Sequence, residues 1–463
     1  MKFAHLYLLS IFIITISSCK KDFLDAKPNT NIVAPTSLDD YQAMLENVDY
    51  LNRATPALLQ TSSDDYVFTS YAAWQGTVFS AERNSYIWAK DLFEGQKDVK
   101  DWNIGYSSIF ICNNVLEGLD KLTNADVNKR QWNNLKGWAL FMRAYVLYDL
   151  VRSFSAAYDS QTSSIELGMP IRLKSGIDKV EQRSSVEQTY NQIFSDLNQS
   201  TTLLQPGIAA SNKERPSKVA AMALYARIYL SMRNYTQAER YADSTLKLYN
   251  TLVDYNTVSL TDKAPFTIHN IETILNTTVI TNYYPIIQTI EPITAVTINP
   301  ELYRLYENND LRKYVYFGTD ITGRLYKKCG YSGNYSAPFT GLATDEIYLI
   351  KAECQARRDE VQGALVTLNI LLGNRYKTGT FIPLTATDAA DALNKILMER
   401  RKELIWRSLR WTDLNRLNKE GAAIVLSREL NGIIYTLFPN DPKYVFPIPN
   451  EEIELSGIQQ NQR

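Results

Sequence analysis

From Ser184 to Leu204 the apolar residues Val186, Tyr190, Ile193, Phe194, Leu197 and Leu204 recur at spacings that fall on one face of an amphipathic helix. Ser184 and Glu187 supply the Ser-x-x-Glu pattern of a capping box at its start. Two stretches lack this period: residues 61–95 and 250–343 are rich in Tyr, Trp, Asn, Ser, Thr and Gly, with short β-like runs at Thr277–Thr281 and Ala295–Ile298. The pattern predicts a mainly α protein with a loop-rich face and a few short strands. Loops held by a rigid scaffold are where binding residues usually sit.

The helical part repeats itself. Ala226 is followed by Tyr229, Tyr235 and Ala238, and Ala352 by Gln355, Val361 and Ala364, so two alanines stand twelve apart in each copy. A polar turn separates the halves, Met232-Arg233-Asn234 in one and Arg357-Arg358-Asp359-Glu360 in the other. This is similar to the tetratricopeptide helix pair, in which small residues let paired helices cross closely. Trp138 to Arg152 is a third candidate first helix. A helical-repeat scaffold is therefore expected over about 130–250 and 344–420, within a fold running from residue 38 to residue 463.

The start of the chain has another character. Lys2, an apolar run from Leu6 to Ile16, then Ser17, Ser18 and Cys19 read as a lipoprotein signal peptide over residues 1–18. The run is shorter than the roughly 20 apolar residues a spanning helix needs. Cys19 is the expected lipidation site, and two acyl chains there would give stable anchoring. Residues 19–37, polar and broken by Pro28 and Pro35, suit a lipidated tether. Cys112, Cys329 and Cys354 then remain as expected buried free thiols.

Composition narrows the function by subtraction. Lys plus Arg (49) balances Asp plus Glu (50), which leaves no basic field for a nucleic-acid backbone. His5 falls in the signal peptide, so His269 alone remains and a multi-histidine zinc site is excluded. No Walker loop, G-x-S-x-G elbow or H-E-x-x-H string occurs. Asp64-Asp65 is the conspicuous carboxylate pair. Sequence neighbours in a strand point to opposite sides, so the two are not expected to converge on a sugar. Glu399 and Glu403 are expected to face Arg400 and Arg401 in a helical charge network. The expectation is a binding protein with no enzymatic activity, metal or cofactor.

Several strings, in order along nearly the whole mature chain, resemble the SusD/RagB family. They are Cys19-Lys20-Lys21-Asp22-Phe23-Leu24-Asp25-Ala26-Lys27-Pro28, then Pro35-Thr36-Ser37-Leu38-Asp39-Asp40-Tyr41, and Arg143-Ala144-Tyr145-Val146-Leu147-Tyr148-Asp149-Leu150-Val151, similar to the family's central helix. Gly168-Met169-Pro170-Ile171 resembles the turn after that helix. Glu399-Arg400-Arg401-Lys402-Glu403-Leu404, Arg410-Trp411-Thr412-Asp413-Leu414 and the closing Phe446-Pro447-Ile448-Pro449 with Glu452-Ile453 complete the set. Where many members carry Phe-Glu-Gly this chain has Trp406-Arg407-Ser408, a charge reversal at Arg407.

The resemblance implies a tetratricopeptide-like scaffold lipid-anchored at the outer membrane, facing the cell exterior, with a SusC-type TonB-dependent transporter as partner and a glycan as usual cargo. Tyrosine, at 30 residues against 16 phenylalanines, suits it, because a flat ring matches the apolar face of a pyranose and its hydroxyl adds a hydrogen bond. The loops the family uses for ligand contact give Asp64, Asp65, Tyr66, Trp74, Arg83, Asn84, Trp88, Tyr283, Tyr284, Tyr331 and Tyr335 as candidate ligand-binding residues. Oligopeptide cargo, a scaffold that binds only proteins, and a two-carboxylate hydrolase are the competing readings.

Overall fold

The computed structural model describes residues 35–122, 128–280, 283, 286, 295–334 and 337–463. Cys19, Tyr284 and Tyr335 lie outside the described residues. In chain order, α1 (Leu38–Leu45) and the single turn α2 (Leu58–Thr61) lead to β1 (Tyr66–Phe68), α3 (Tyr71–Gln75) and α4 (Ser80–Tyr86). The long helices α5 (Lys100–Lys121) and α6 (Lys129–Phe154) follow, then β2 (Leu167–Pro170), β3 (Arg183–Ser185), α7 (Val186–Leu203), α8 (Lys218–Ser231) and α9 (Tyr235–Leu248).

The stretch between the helical blocks is less loop-like than its composition suggests. It holds β4 (Thr273–Leu275), β5 (Val296–Ile298), β6 (Phe317–Thr319), β7 (Leu325–Lys327) and β8 (Leu342–Ala343). Thr277–Thr281 does not form the expected strand: Thr278 and Val279 make only isolated bridges, to Phe339 and Thr55. Helices return with α10 (Thr344–Arg357), α11 (Val361–Gly373), α12 (Ala389–Glu403) and α13 (Arg410–Lys419), before β9 (Leu426–Leu430), β10 (Ile433–Leu437) and α14 (Asn450–Ser456).

The helices stack in sequence order, α5 on α6, α6 on α7, α8 on α9, α9 on α10, and α10 on both α11 and α12. Ala226, Ala238, Ala352 and Ala364 are all fully buried where the paired helices cross, as the repeat required. Within α6 almost every residue from Leu135 to Phe154 is buried, so it is a core helix, and its buried charges are paired, Arg143 with Asp196 and Arg152 with Asp149. The box that opens α7 sits one residue later than expected, with Ser185 capping and Gln188 reaching back. Ser184 belongs to β3, and its hydroxyl donates to the Met169 carbonyl at 2.7 Å.

Gly168-Met169-Pro170 is strand β2 rather than a turn, paired antiparallel with β3. A Cβ on Gly168 would lie 2.3 Å from the Ser185 carbonyl oxygen, so only glycine lets the strands approach this closely. Antiparallel β1 and β5 pair Tyr66 with Ile298 and thereby join the two loop-rich segments into one face. Beneath that face lies a second core, distinct from the helical one and dominated by aromatic rings: Tyr66, Phe68, Tyr86, Tyr255, Tyr306, Tyr316, Tyr331 and Trp406.

Candidate functional site

Aromatic burial sorts the expected ligand contacts into two groups. Tyr66, Trp88, Tyr283 and Tyr331 are each no more than 2% exposed and turn no face to solvent. Their polar ends are committed inside: Tyr66 to the Thr61 carbonyl at 2.6 Å, Trp88 to that of Ser62 at 3.0 Å, Tyr283 to Asp101 at 2.6 Å and Tyr331 to Glu272 at 2.7 Å. These rings carry the fold beneath the site and do not form its surface. The tyrosine excess has the same cause, because phenols that hydrogen-bond one another, as Tyr255 does with Tyr316 and Tyr331, fill a core crossed by buried charges.

Asn84 is also buried, spending its amide on the Leu92 carbonyl. Asp64 and Asp65 are ion-pair partners of the C-terminal helices: Arg410 grips Asp64 bidentately at 2.8 and 2.9 Å, and Arg401 bridges Asp64 and Asp65. Burial raises the Asp64 pKa, but the Arg401 and Arg410 guanidiniums outweigh it and hold the carboxyl well below the usual range. Asp65 is fully buried and also accepts from the Gln60 amide at 2.8 Å.

Glu399 and Glu403 do form a charge network, with partners other than Arg400 and Arg401. Arg312 contacts Asp310, Glu399 and Glu403 at 2.6–3.0 Å, and Arg375 joins Glu403 to Glu272 at 2.7 and 2.8 Å. Neighbours on a helix do not face each other, which sends Arg400 to Asp413 and Arg401 to Asp64 and Asp65. The charge reversal at Arg407 is answered by Asp345, gripped at 2.9 and 2.5 Å, with the guanidinium lying 4.4 Å from the Tyr331 ring centre.

What stays accessible is a small aromatic platform. Ser70 caps α3 by accepting from the Ala73 amide, and the helix then sets Tyr71 and Trp74 on one side, stacked with ring centres 5.5 Å apart and 20° between planes. Trp74 is half-buried and Tyr71 37% exposed. The Trp74 indole donates to the Arg83 carbonyl at 2.9 Å. The Arg83 guanidinium lies 5.8 Å from the Trp74 ring centre and is held by Glu94 at 2.6 Å. Of the expected residues, Trp74 and Arg83 come together here and Asp64 remains partly exposed elsewhere on the same segment.

Two contributors were missed. Tyr71 could have been found from its three-residue spacing to Trp74 behind a capping serine. Arg428 left no such signal; it reaches from β9 to within 5.3 Å of the ring centres of Tyr66, Tyr86 and Trp88 and clamps that aromatic floor. His269 pairs with Glu214 at 2.7 Å. Cys112, Cys329 and Cys354 are buried and form no disulfide among the described residues, and burial pushes the Cys112 thiol up to about 12. Among the described residues no group of His, Cys, Asp and Glu could hold a metal ion, and no helix is long and apolar enough to cross a membrane.

Residues 22–230 match a family model described as "Starch-binding associating with outer membrane", and residues 332–462 match the SusD family model. A SusD superfamily protein from Bacteroides thetaiotaomicron superposes with a TM-score of 0.75 at 21% identity, covering 92% of this chain and 100% of that one. For a putative sugar binding protein from Bacteroides vulgatus the values are 0.72, 22%, 93% and 99%. For surface glycan-binding protein A from Bacteroides fluxus they are 0.69, 18%, 92% and 99%. A comparison with curated proteins finds no match.

Proposed function

Because the chain belongs to the SusD/RagB family, we propose that it is a cell-surface lipoprotein, anchored through Cys19 on a 19–37 tether, that captures an oligosaccharide for a SusC-type TonB-dependent transporter. The observation that carries the reading is the accessible Tyr71–Trp74 stack with Arg83 beside it. An indole face offers an apolar plane to the C–H face of a pyranose, while the guanidinium and the flanking backbone offer hydrogen bonds to its hydroxyls. Because Trp74 is fixed through its own N–H to the backbone at Arg83, little ordering entropy is lost on binding. Asp64 and Asp65, held as ion-paired carboxylates, support binding without turnover.

Calorimetric titration against panels of soluble polysaccharides and peptides tests the reading. Trp74→Ala is expected to weaken the best glycan at least tenfold, about 1.4 kcal/mol. Unchanged affinity in that variant would move the site elsewhere, peptide binding with no glycan binding would change the cargo, and release of sugar by the homogeneous protein would make it an enzyme.

A further inference from the structure

Away from the Trp74 platform, a groove of about 750 Å³ runs along α5. Trp102, Tyr106 and Phe110 stand four residues apart on one side of that helix and form its floor. Tyr50 and Phe110 are 42% and 44% exposed there. The opposite wall is aliphatic and open to solvent, with Ile177, Val180 and Leu455 exposed by 76%, 50% and 79%.

The segment that leads into this wall is tied to α5 by hydrogen bonds. The amide of Asn113, buried on α5, donates to the carbonyls of Arg172 and Lys174 at 3.1 Å each, and Glu117 accepts from the amide and hydroxyl of Ser175. Asn113 is itself fixed by Arg143 at 2.8 Å, which pairs with buried Asp196. The cleft is therefore preformed, and its volume suits one small ligand.

The charges at the groove are unequal in what they are free to do. Of the carboxylates, Glu181 is paired with Lys179 at 2.7 Å and Glu452 accepts from the Trp102 indole at 3.2 Å. Arg172 and Lys174 line the same groove and make no ion pair among the described residues. Aliphatic walls, an aromatic floor and two cations outside any ion pair, Arg172 and, close enough to Glu117 to lower that carboxyl's pKa, Lys174, complement a molecule that is apolar along its length and anionic at one end. We propose that this groove is a second binding site, taking a small soluble anionic amphiphile.

Dodecanoate below its micellar concentration is the probe, titrated calorimetrically into the whole protein beside dodecyl maltoside and anionic phosphatidylglycerol vesicles. Saturable dodecanoate binding is expected, weakened at least tenfold by Phe110→Asp and by the Arg172→Ala/Lys174→Ala pair, both at exposed or half-exposed positions, and tighter than dodecyl maltoside binding. Trp74→Ala should leave it unchanged, so failure here and failure of the glycan site are told apart. No dodecanoate binding, equal affinity in the groove variants, or binding to vesicles alone would overturn the proposal.

Discussion

Glu82 on α4 is fully buried; one carboxyl oxygen accepts from the Ile286 amide at 3.0 Å and the other has no partner among the described residues. With no cation paired to it among the described residues, burial pushes its pKa from 4.5 up to about 8, opposed only in part by the Ile286 amide. The native state then binds more protons than the unfolded chain between those two values, so stability falls as pH rises through that window and levels off above it. At about 1.4 kcal/mol per unit, Glu82 costs the fold on the order of 3 kcal/mol by pH 7. Glu82→Gln keeps the acceptor for Ile286 and removes the titration. Its stability relative to the parent, measured by urea unfolding, should improve by about 3–4 kcal/mol between pH 5 and pH 8. Any constant cost of the amide cancels in that comparison. Parallel pH profiles for the two proteins would refute the reasoning.

Three further substitutions probe the packing. Arg407→Leu strands Asp345 as a buried unpaired charge and should cost about 3–5 kcal/mol in chemical denaturation, with Asp345→Asn in the same chain recovering more than half. Ser408 sits at φ 55° with its buried hydroxyl unpartnered among the described residues, so Ser408→Gly should raise stability by about 1 kcal/mol, seen as a higher denaturation midpoint. Gly168→Ala drives a methyl into the Ser185 backbone and should cost at least about 2 kcal/mol, seen as a lower thermal midpoint.

The helical scaffold could be read in the sequence because period and small residues are local signals: the alanines at 226, 238, 352 and 364 mark crossings that neighbouring turns already imply. Where a local signal had a distant competitor, it misled. Ser184 looks like a cap until the Met169 carbonyl takes its hydroxyl. The loop-rich composition pointed to a face whose expected rings are mostly buried, since a tyrosine that will meet Glu272 or Thr61 inside the fold has the same spelling as one that stays exposed. Exposure separates them, and exposure is set by partners such as Arg428, 342 residues from the Tyr86 carbonyl it holds. Of the candidate site, Trp74 and Arg83 were legible and their neighbour Tyr71 was within reach of the same spacing argument.

The ion pairs joining Asp64 and Asp65 to Arg401 and Arg410 close loops of more than 300 residues. During synthesis the early strand β1 and its aromatic floor must wait for the last quarter of the chain to emerge before their charges are neutralised. Loop closure on that scale is slow relative to local helix formation. The helices from α5 to α9 can therefore assemble first, leaving the face built on β1 and β5 the last to mature and, until then, the part most prone to aggregation.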